Sequence, residues 1–234
     1  MENEVTKAQY GRVKGASWFP LLYKKDILVL GQGGIGSWVS LLLSRIGCNL
    51  HLYDMDTYEE HNMSGQFVTR EYISSPKVYA IRQLISEFSP DCELVDAYEE
   101  EYTIDSLTNN VTICGFDNMI ARRIAFDKWK AQLSIDVDKS TYFFQDGRLL
   151  AEQLQIFNIP GDKPNLIERY EKDYLFDDGE VEEAECTFKQ TSHCAAMIAS
   201  HMVGFLTNWI GPIKQVPFFF EYVIPINYMK NDKS

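Results

Sequence analysis

The chain has 234 residues, 45% of them hydrophobic and 24% charged, and a formal net charge of −12 at pH 7. This composition is typical of a globular protein, and no apolar run is long enough to span a bilayer, which argues against a membrane protein. An acidic surface repels phosphate backbones, so nucleic acid is not an expected partner. The polar stretch 1–15 does not resemble a signal peptide, and the five cysteines are widely spaced. We therefore expect a cytoplasmic protein with reduced thiols.

The predicted elements begin with a strand over Asp26–Leu30, a glycine-rich turn, and a helix whose apolar residues recur at helical spacing from Ile35 to Ile46. The elements predicted next are a strand at Leu50–Tyr53, a helix after Pro76, strands at Cys92–Ala97 and Val111–Cys114, and a helix around Trp129. Strands that alternate with helices in this way favour a parallel sheet with helices on both faces.

The pattern changes after about Ser140, where Asp146-Gly147 is a common turn dipeptide and predicts a hairpin of two strands. The remaining predicted elements are a helix from Pro164 to about Tyr174, an acidic segment at Asp177–Glu185, a long helix from Ala195 to Trp209, and a strand in 217–225. We predict a Rossmann-like, mostly parallel α/β sheet with an antiparallel C-terminal extension. It would form one domain over 1–234, with a nucleotide-binding half at about 1–135 and a second half at about 136–234.

The glycines between the first strand and the first long helix indicate a nucleotide site; they are Gly31, Gly33, Gly34 and Gly36. Glycines let the backbone approach a phosphate, and the helix amino terminus then faces the negative charge. Asp54 follows at the end of the second strand, where a carboxylate accepts hydrogen bonds from ribose hydroxyls. These features alone leave NAD, FAD and ATP open, as well as a tight turn with no ligand.

Further motifs follow in a fixed order. They are Asp54-x-Asp56, Asn62 with Gln66, Pro76-Lys77, and Asp117-Asn118 with Arg122. Together with Gly31–Ser37, this series resembles the ThiF/MoeB/ubiquitin-activating superfamily, whose members adenylate the C-terminus of a ubiquitin-like protein. The matches extend over about Arg12 to Trp209. The resemblance implies ATP as the nucleotide and makes a dehydrogenase the least favoured function.

The resemblance also implies roles for individual residues. It implies that Lys77 sets its ammonium against the phosphates and that Asp117 holds Mg²⁺, which prefers oxygen ligands. The alternatives are a solvated surface lysine and an aspartate that caps the following helix. The implied nucleotide-binding residues are Gly31, Gly33, Gly34, Gly36, Asp54, Asp56, Asn62, Gln66, Lys77, Asn118 and Arg122.

One position departs from the family pattern. Gly65 stands where relatives carry an arginine that reaches the triphosphate, so one fixed cation is missing. Arg70 could substitute for it if the loop folds back. Arg12 lies where relatives carry an arginine that reaches across a dimer, which implies a homodimer. If no residue compensates, we expect a protein that binds ATP without adenylating efficiently.

The cysteines give two expectations. Relatives often hold zinc with two C-x-x-C pairs, and this chain has neither pair, so we expect no zinc site. Cys186 precedes the long helix, where several relatives place the cysteine that takes the acyl group as a thioester. A helix amino terminus lowers a thiol's pKa, whereas the glutamates around Cys186 raise it. A structural cysteine is the alternative.

The sequence therefore predicts an ATP-dependent enzyme that adenylates the C-terminal glycine of a ubiquitin-like or sulfur-carrier protein. The predicted catalytic residues are Asp117, Lys77, Cys186 and Arg12, with ATP and Mg²⁺ as cofactors. The alternatives are an adenylyltransferase that acts on a peptide or a small molecule, and a degenerate nucleotide-binding regulatory subunit. The substrate and the form of the product, whether thioester, thiocarboxylate or conjugate, are left open.

Overall fold

The computed structural model describes residues 8–89, 92, 94–176, 190–213 and 215–232. Cys186, Lys189 and the acidic segment Asp177–Glu185 lie outside the described residues. The strands are β1 (Asp26–Leu30), β2 (Asn49–Tyr53), β3 (Val95–Tyr98), β4 (Val111–Cys114), β5 (Phe143–Leu150), β6 (Gln153–Pro160), β7 (Phe219–Val223) and β8 (Tyr228–Asp232). The helices are α1 (Phe19–Leu22), α2 (Gly36–Ser44), α3 (Lys77–Phe88), α4 (Met119–Ile135), α5 (Pro164–Asp173) and α6 (Ser192–Ile210).

The strands form one eight-stranded sheet in the order β3-β2-β1-β4-β5-β6-β7-β8. The first five strands in this order run parallel to their neighbours, and the pairs from β5 to β8 are antiparallel. This confirms the predicted Rossmann-like sheet with an antiparallel C-terminal extension. Parallel strands need crossover connections, and the alternating helices supply them.

Both faces of the parallel half are buried. In β1, Ile27 and Val29 belong to a hydrophobic cluster with α2, α3 and α6. Leu28 and Leu30 belong to a second cluster, which includes residues of α4 and α5. A strand that is buried on both faces has a continuous apolar sequence, and for this reason the sequence predicted β1 with the correct bounds.

The predicted turn at Asp146-Gly147 is wrong. Both residues lie inside β5, and the hairpin between β5 and β6 turns at Ala151, whose φ is +56°. Asp146 is fully buried and accepts a hydrogen bond from the Tyr170 hydroxyl at 2.9 Å. Gly147 packs closely against α6, since a Cβ there would lie 2.8 Å from the Met202 sulfur. The dipeptide therefore serves packing and charge pairing rather than a turn.

Within the described residues, no helix is both long and apolar enough to cross a membrane.

Candidate active site

The glycine-rich turn joins β1 to α2 and can close only because two of its positions lack a side chain. Gly31 adopts a φ of +81°, a left-handed conformation that favours glycine. A Cβ on Gly36 would lie 1.7 Å from the carbonyl oxygen of Gly31. The turn therefore places the amino terminus of α2 directly beside the carboxyl end of β1, where a phosphate can be bound.

Asp54 follows β2 and is tied to this turn. Its Oδ2 accepts a hydrogen bond from the Gln32 amide at 2.6 Å, and its Oδ1 accepts one from the Asp56 amide at 2.8 Å. Burial raises the pKa of Asp54, while the charge of Lys77 and these two amide hydrogen bonds lower it. The carboxylate thus fixes the turn and the segment after β2 relative to each other.

Lys77 is the first residue of α3, and its Nζ lies 2.8 Å from Oδ2 of Asp56. The lysine side chain is only 10% exposed, whereas the Asp56 side chain is 57% exposed. The alternative of a solvated surface lysine is therefore wrong. The structure therefore places a sheltered ammonium group, paired with one exposed carboxylate, at the same edge of the sheet as Asp54.

Asp117 and Asn118 follow β4, the neighbour of β1 on the other side. The Gly115 amide donates to the Leu30 carbonyl at 2.8 Å, which places this segment beside the glycine-rich turn. Asn118 caps α4, because its Oδ1 accepts a hydrogen bond from the Ala121 amide at 2.8 Å. Asp117 is exposed and is not the cap, so that alternative for its carboxylate is also wrong.

Asn62 and Gln66 lie on a loop that is fastened to α2. The Asn62 Oδ1 accepts from the Glu59 amide at 2.8 Å, which closes a short helical turn at Glu60–Ser64. The side-chain Nε2 of Gln66 lies 4.0 Å from the place that a Cβ on Gly33 would take. Within the described part of the chain, the Gln66 Oε1 is buried and has no hydrogen-bond partner. An acceptor without a donor therefore lies next to the glycine-rich turn.

Arg122 is occupied by contacts within the protein. Its guanidinium pairs with the buried Asp146 carboxylate and donates to the carbonyls of Gly147, at 3.2 Å, and of Phe116. The structure thus uses Arg122 to anchor the end of β4, one residue before Asp117. Its role in binding the nucleotide stays a prediction.

Arg12 lies apart from the residues above. It is exposed and follows Tyr10, which packs against Tyr23 with ring centroids 5.4 Å apart, just before β1 begins. This is the end of the sheet opposite the glycine-rich turn of the same chain. Arg70 is also exposed, in a short turn at Arg70–Tyr72.

Three of the described thiols are poor nucleophiles. Cys48, Cys114 and Cys194 are buried. Burial raises the pKa of Cys114 to about 12 and that of Cys194 to about 11, so both are protonated at neutral pH. Among the described residues, no three His, Cys, Asp or Glu side chains come together in a metal-binding arrangement.

The sequence did not identify two residues at this site. Tyr58 is buried, and its hydroxyl donates to the Gln32 carbonyl at 3.0 Å, which fixes the backbone of the glycine-rich turn. Gln190 packs against Gly34 and Gly65. Neither residue belongs to a motif, and Gln190 comes from a distant part of the chain, so only the folded structure brings it here.

The comparisons with known proteins agree with this geometry. The family model described as the ThiF family matches residues 21–231. Over 105 residues the chain is 30% identical to the Nedd8-activating enzyme E1 catalytic subunit of Drosophila melanogaster, a match that covers 43% of this chain and only 23% of that protein. The chain is similar in fold to E. coli MccB crystallised with ATP, at a TM-score of 0.71 and 12% identity, covering 92% of this chain and 66% of MccB.

A second MccB structure has a similar fold: the microcin C7 biosynthetic enzyme MccB in complex with N-formylated MccA. It has a TM-score of 0.69 and 11% identity, and covers 92% of this chain and 66% of that chain. Since the family model matches most of the sequence, the chain belongs to the ThiF family.

Proposed function

We propose that this protein is an ATP-dependent adenylyltransferase that activates the C-terminal carboxylate of a ubiquitin-like or sulfur-carrier protein. One observation carries the proposal: the glycine-rich turn, Asp54, Lys77 and Asp117 lie together at the carboxyl ends of β2, β1 and β4. Ligands of open α/β sheets bind at this edge. The similarity to a Nedd8-activating subunit and to MccB crystallised with ATP supports the same function.

In the proposed reaction, an oxygen of the substrate carboxylate bonds to the α-phosphorus of ATP. The bond from that phosphorus to the bridging oxygen breaks, and pyrophosphate leaves with the electron pair. No side chain needs to form a covalent bond, so positioning and electrostatics supply the rate enhancement. Lys77 offers a sheltered positive charge, and the turn offers backbone amides.

The residues present fit ATP and Mg²⁺. The unpartnered Gln66 acceptor is suited to the hydroxyl or amino donors of adenosine. Among the described residues other than its chain neighbours, the atom nearest to the place of a Cβ on Gly33 is the Gln66 Nε2, at 4.0 Å. Asp117 has an exposed carboxylate that is not used as a cap, and such an oxygen donor is one that Mg²⁺ prefers. When bound, Mg²⁺ would neutralise charge on the phosphates.

A second candidate is an adenylyltransferase that acts on a peptide or a small molecule. MccB, crystallised with N-formylated MccA, has a similar fold over 92% of this chain, whereas the match to the Nedd8-activating subunit covers 43% of it. A third candidate is a nucleotide-binding regulatory subunit that does not adenylate, because Gly65 leaves the site without one cation.

We also propose that the protein forms a homodimer in which Arg12 reaches the partner's site. We further propose that the acyl group is transferred to Cys186.

ATP–pyrophosphate exchange tests the function. The protein is mixed with Mg·ATP, labelled pyrophosphate and small β-grasp proteins that end in glycine, and each protein is also supplied with that glycine deleted. We expect label to enter ATP only with the intact C-terminus. Exchange with peptides alone would favour the second candidate. ATP binding without any exchange would favour the regulatory subunit, and tighter binding of NAD than of Mg·ATP in calorimetry would overturn the nucleotide assignment.

A further inference from the structure

Gln190 lies between two glycines of the candidate site. A Cβ on Gly34 would lie 1.8 Å from the Gln190 Oε1, and a Cβ on Gly65 would lie 2.7 Å from its Cγ and 2.8 Å from its Nε2. The carboxamide is therefore in contact with the backbone of the glycine-rich turn and with the backbone of the Asn62–Gln66 loop. A side chain could be added at either glycine only if Gln190 moved.

The backbone conformation does not require these two glycines. Among the described glycines, only Gly31 and Gly47 have a positive φ. Gly65 has a φ of −134° and a ψ of −29°, outside the left-handed region. An ordinary residue could therefore adopt the conformation of Gly65, and the obstacle is the space that Gln190 fills. Gly65 and Gln190 are thus a matched pair.

The backbone on both sides of this pair is held in place. The Trp38 indole donates to the Gly65 carbonyl at 3.0 Å, and the Phe67 amide donates to the Ser37 hydroxyl at 3.0 Å. These bonds fasten the loop to the first turns of α2. Gln190 forms a bridge with Ala151 and directly precedes Thr191, the residue that caps α6.

We propose that Gln190 contacts the nucleotide. Its carboxamide Oε1 is the atom nearest Gly34, and a half-turn of the amide group exchanges Oε1 for Nε2, which then donates a hydrogen bond to the phosphates at the glycine-rich turn. Gln190 fills the place that a side chain at residue 65 would take and brings a neutral polar group there. The inference rests on the proposed function, because it takes ATP as the ligand. The amide touches Gly34, and the neighbouring glycines and Lys77 are the groups suited to phosphate.

Substituting Gln190 by residues of similar length tests the contact through binding rather than activity. Gln190→Glu keeps the shape but sets an anion against the phosphates, and Gln190→Met removes the donor. We expect the Kd for Mg·ATP in calorimetry to rise by about tenfold to a hundredfold in Gln190→Glu and by less in Gln190→Met. The Kd for adenosine should stay unchanged in both. Gln83→Glu, an equal charge change at an exposed position of α3, is the matched control and should leave both constants unchanged.

A thermal-unfolding cycle tests the matched pair independently. Gly65→Ala should lower the Tm, and adding Gln190→Gly should recover most of that loss, because the obstructing side chain is gone. If the wild type binds ATP and Gln190→Glu has the same Kd for it, the inference is overturned while the proposed function stands. The same holds if Gln190→Glu raises the Kd for adenosine as much as the Kd for ATP. If the wild type binds no ATP, both are overturned.

Discussion

Asp117 and Asn118 are adjacent, but the structure gives their side chains different tasks. Asn118 caps α4, whereas the exposed Asp117 carboxylate takes no part in the cap and is the group that we propose to hold Mg²⁺. We predict that Asp117→Ala lowers pyrophosphate exchange at least about a hundredfold, the scale of losing one electrostatic contact in the transition state. Its free energy of unfolding should stay within about 0.5 kcal/mol of the wild type, because an exposed side chain is removed. Exchange assays and urea titrations measure the two effects.

Asn118→Ala is the stability control for this prediction. Losing an N-cap costs about 1 kcal/mol, so this variant should be the less stable of the two. The metal role of Asp117 is refuted if Asp117→Ala keeps near-normal exchange. The cap assignment is refuted if Asp117→Ala is the variant that loses stability.

Motif spacing predicted that Asp54, Lys77 and Asp117 gather at one edge of the sheet, but Arg12 lies apart from them, and the pairing of the side chains was not predicted. The motif suggested an ammonium near phosphates, and the structure adds that Lys77 is sheltered and bound to Asp56. The burial of Lys77 could not be predicted, because a lysine at the start of a helix is usually solvated. Gln190 could not be found either, since its neighbours Gly34 and Gly65 are adjacent to it only in space.

The junction of β1 and α2 depends on the absence of a side chain at Gly36. A Cβ at this position would meet backbone, the Gly31 carbonyl oxygen at 1.7 Å, and backbone cannot move aside as a flexible side chain can. We predict that Gly36→Ala lowers the free energy of unfolding by at least about 1–3 kcal/mol, the usual cost of overpacking. Urea titration followed by circular dichroism measures the loss.

Gly204→Ala is the matched control at the element scale. Gly204 lies within α6, and apart from its own helix no heavy atom of the described residues lies within 4 Å of the place of its Cβ. Alanine is the better helix former, so this variant should gain about 0.5–1 kcal/mol. If Gly36→Ala were as stable as Gly204→Ala, the turn would be looser than the structure shows.

The strands and helices with a clear period were predictable, and the failures have a physical reason. The four-residue strand β4 (Val111–Cys114) is buried throughout, and its β-branched residues identified it. Asp146-Gly147 has the composition of a turn. The Asp146 carboxylate is nevertheless buried within β5, where it pairs with Arg122 and accepts from Tyr170, and both of these residues are distant in sequence. Strand β8 is mostly exposed, so it has no apolar alternation to reveal it.

At the scale of the whole molecule, a buried charge network connects the parallel and antiparallel halves. The Asp146 carboxylate lies in β5, where the sheet changes from parallel to antiparallel. It pairs with Arg122 of α4 and with the Arg148 Nε at 2.7 Å, and accepts from Tyr170 of α5 at 2.9 Å. One carboxylate therefore balances two guanidinium groups whose side chains are only 7% and 14% exposed. Because this network and the sheet cross the junction, we predict that both halves unfold as one unit.

Asp146→Asn keeps the size of the side chain but removes the negative charge, leaving two sheltered guanidinium groups without a counter-charge. Breaking a buried ion pair in this way costs about 3–5 kcal/mol. Asp232→Asn is the control, because its partner Arg169 and Asp232 itself are 36% and 34% exposed, and such a bridge contributes at most about 1 kcal/mol. Urea unfolding followed by circular dichroism and by tryptophan fluorescence should give one coincident transition in both variants, shifted strongly only in Asp146→Asn. Two separate transitions, with only one moved by Asp146→Asn, would show instead that the halves unfold independently and that the network stabilises one of them alone.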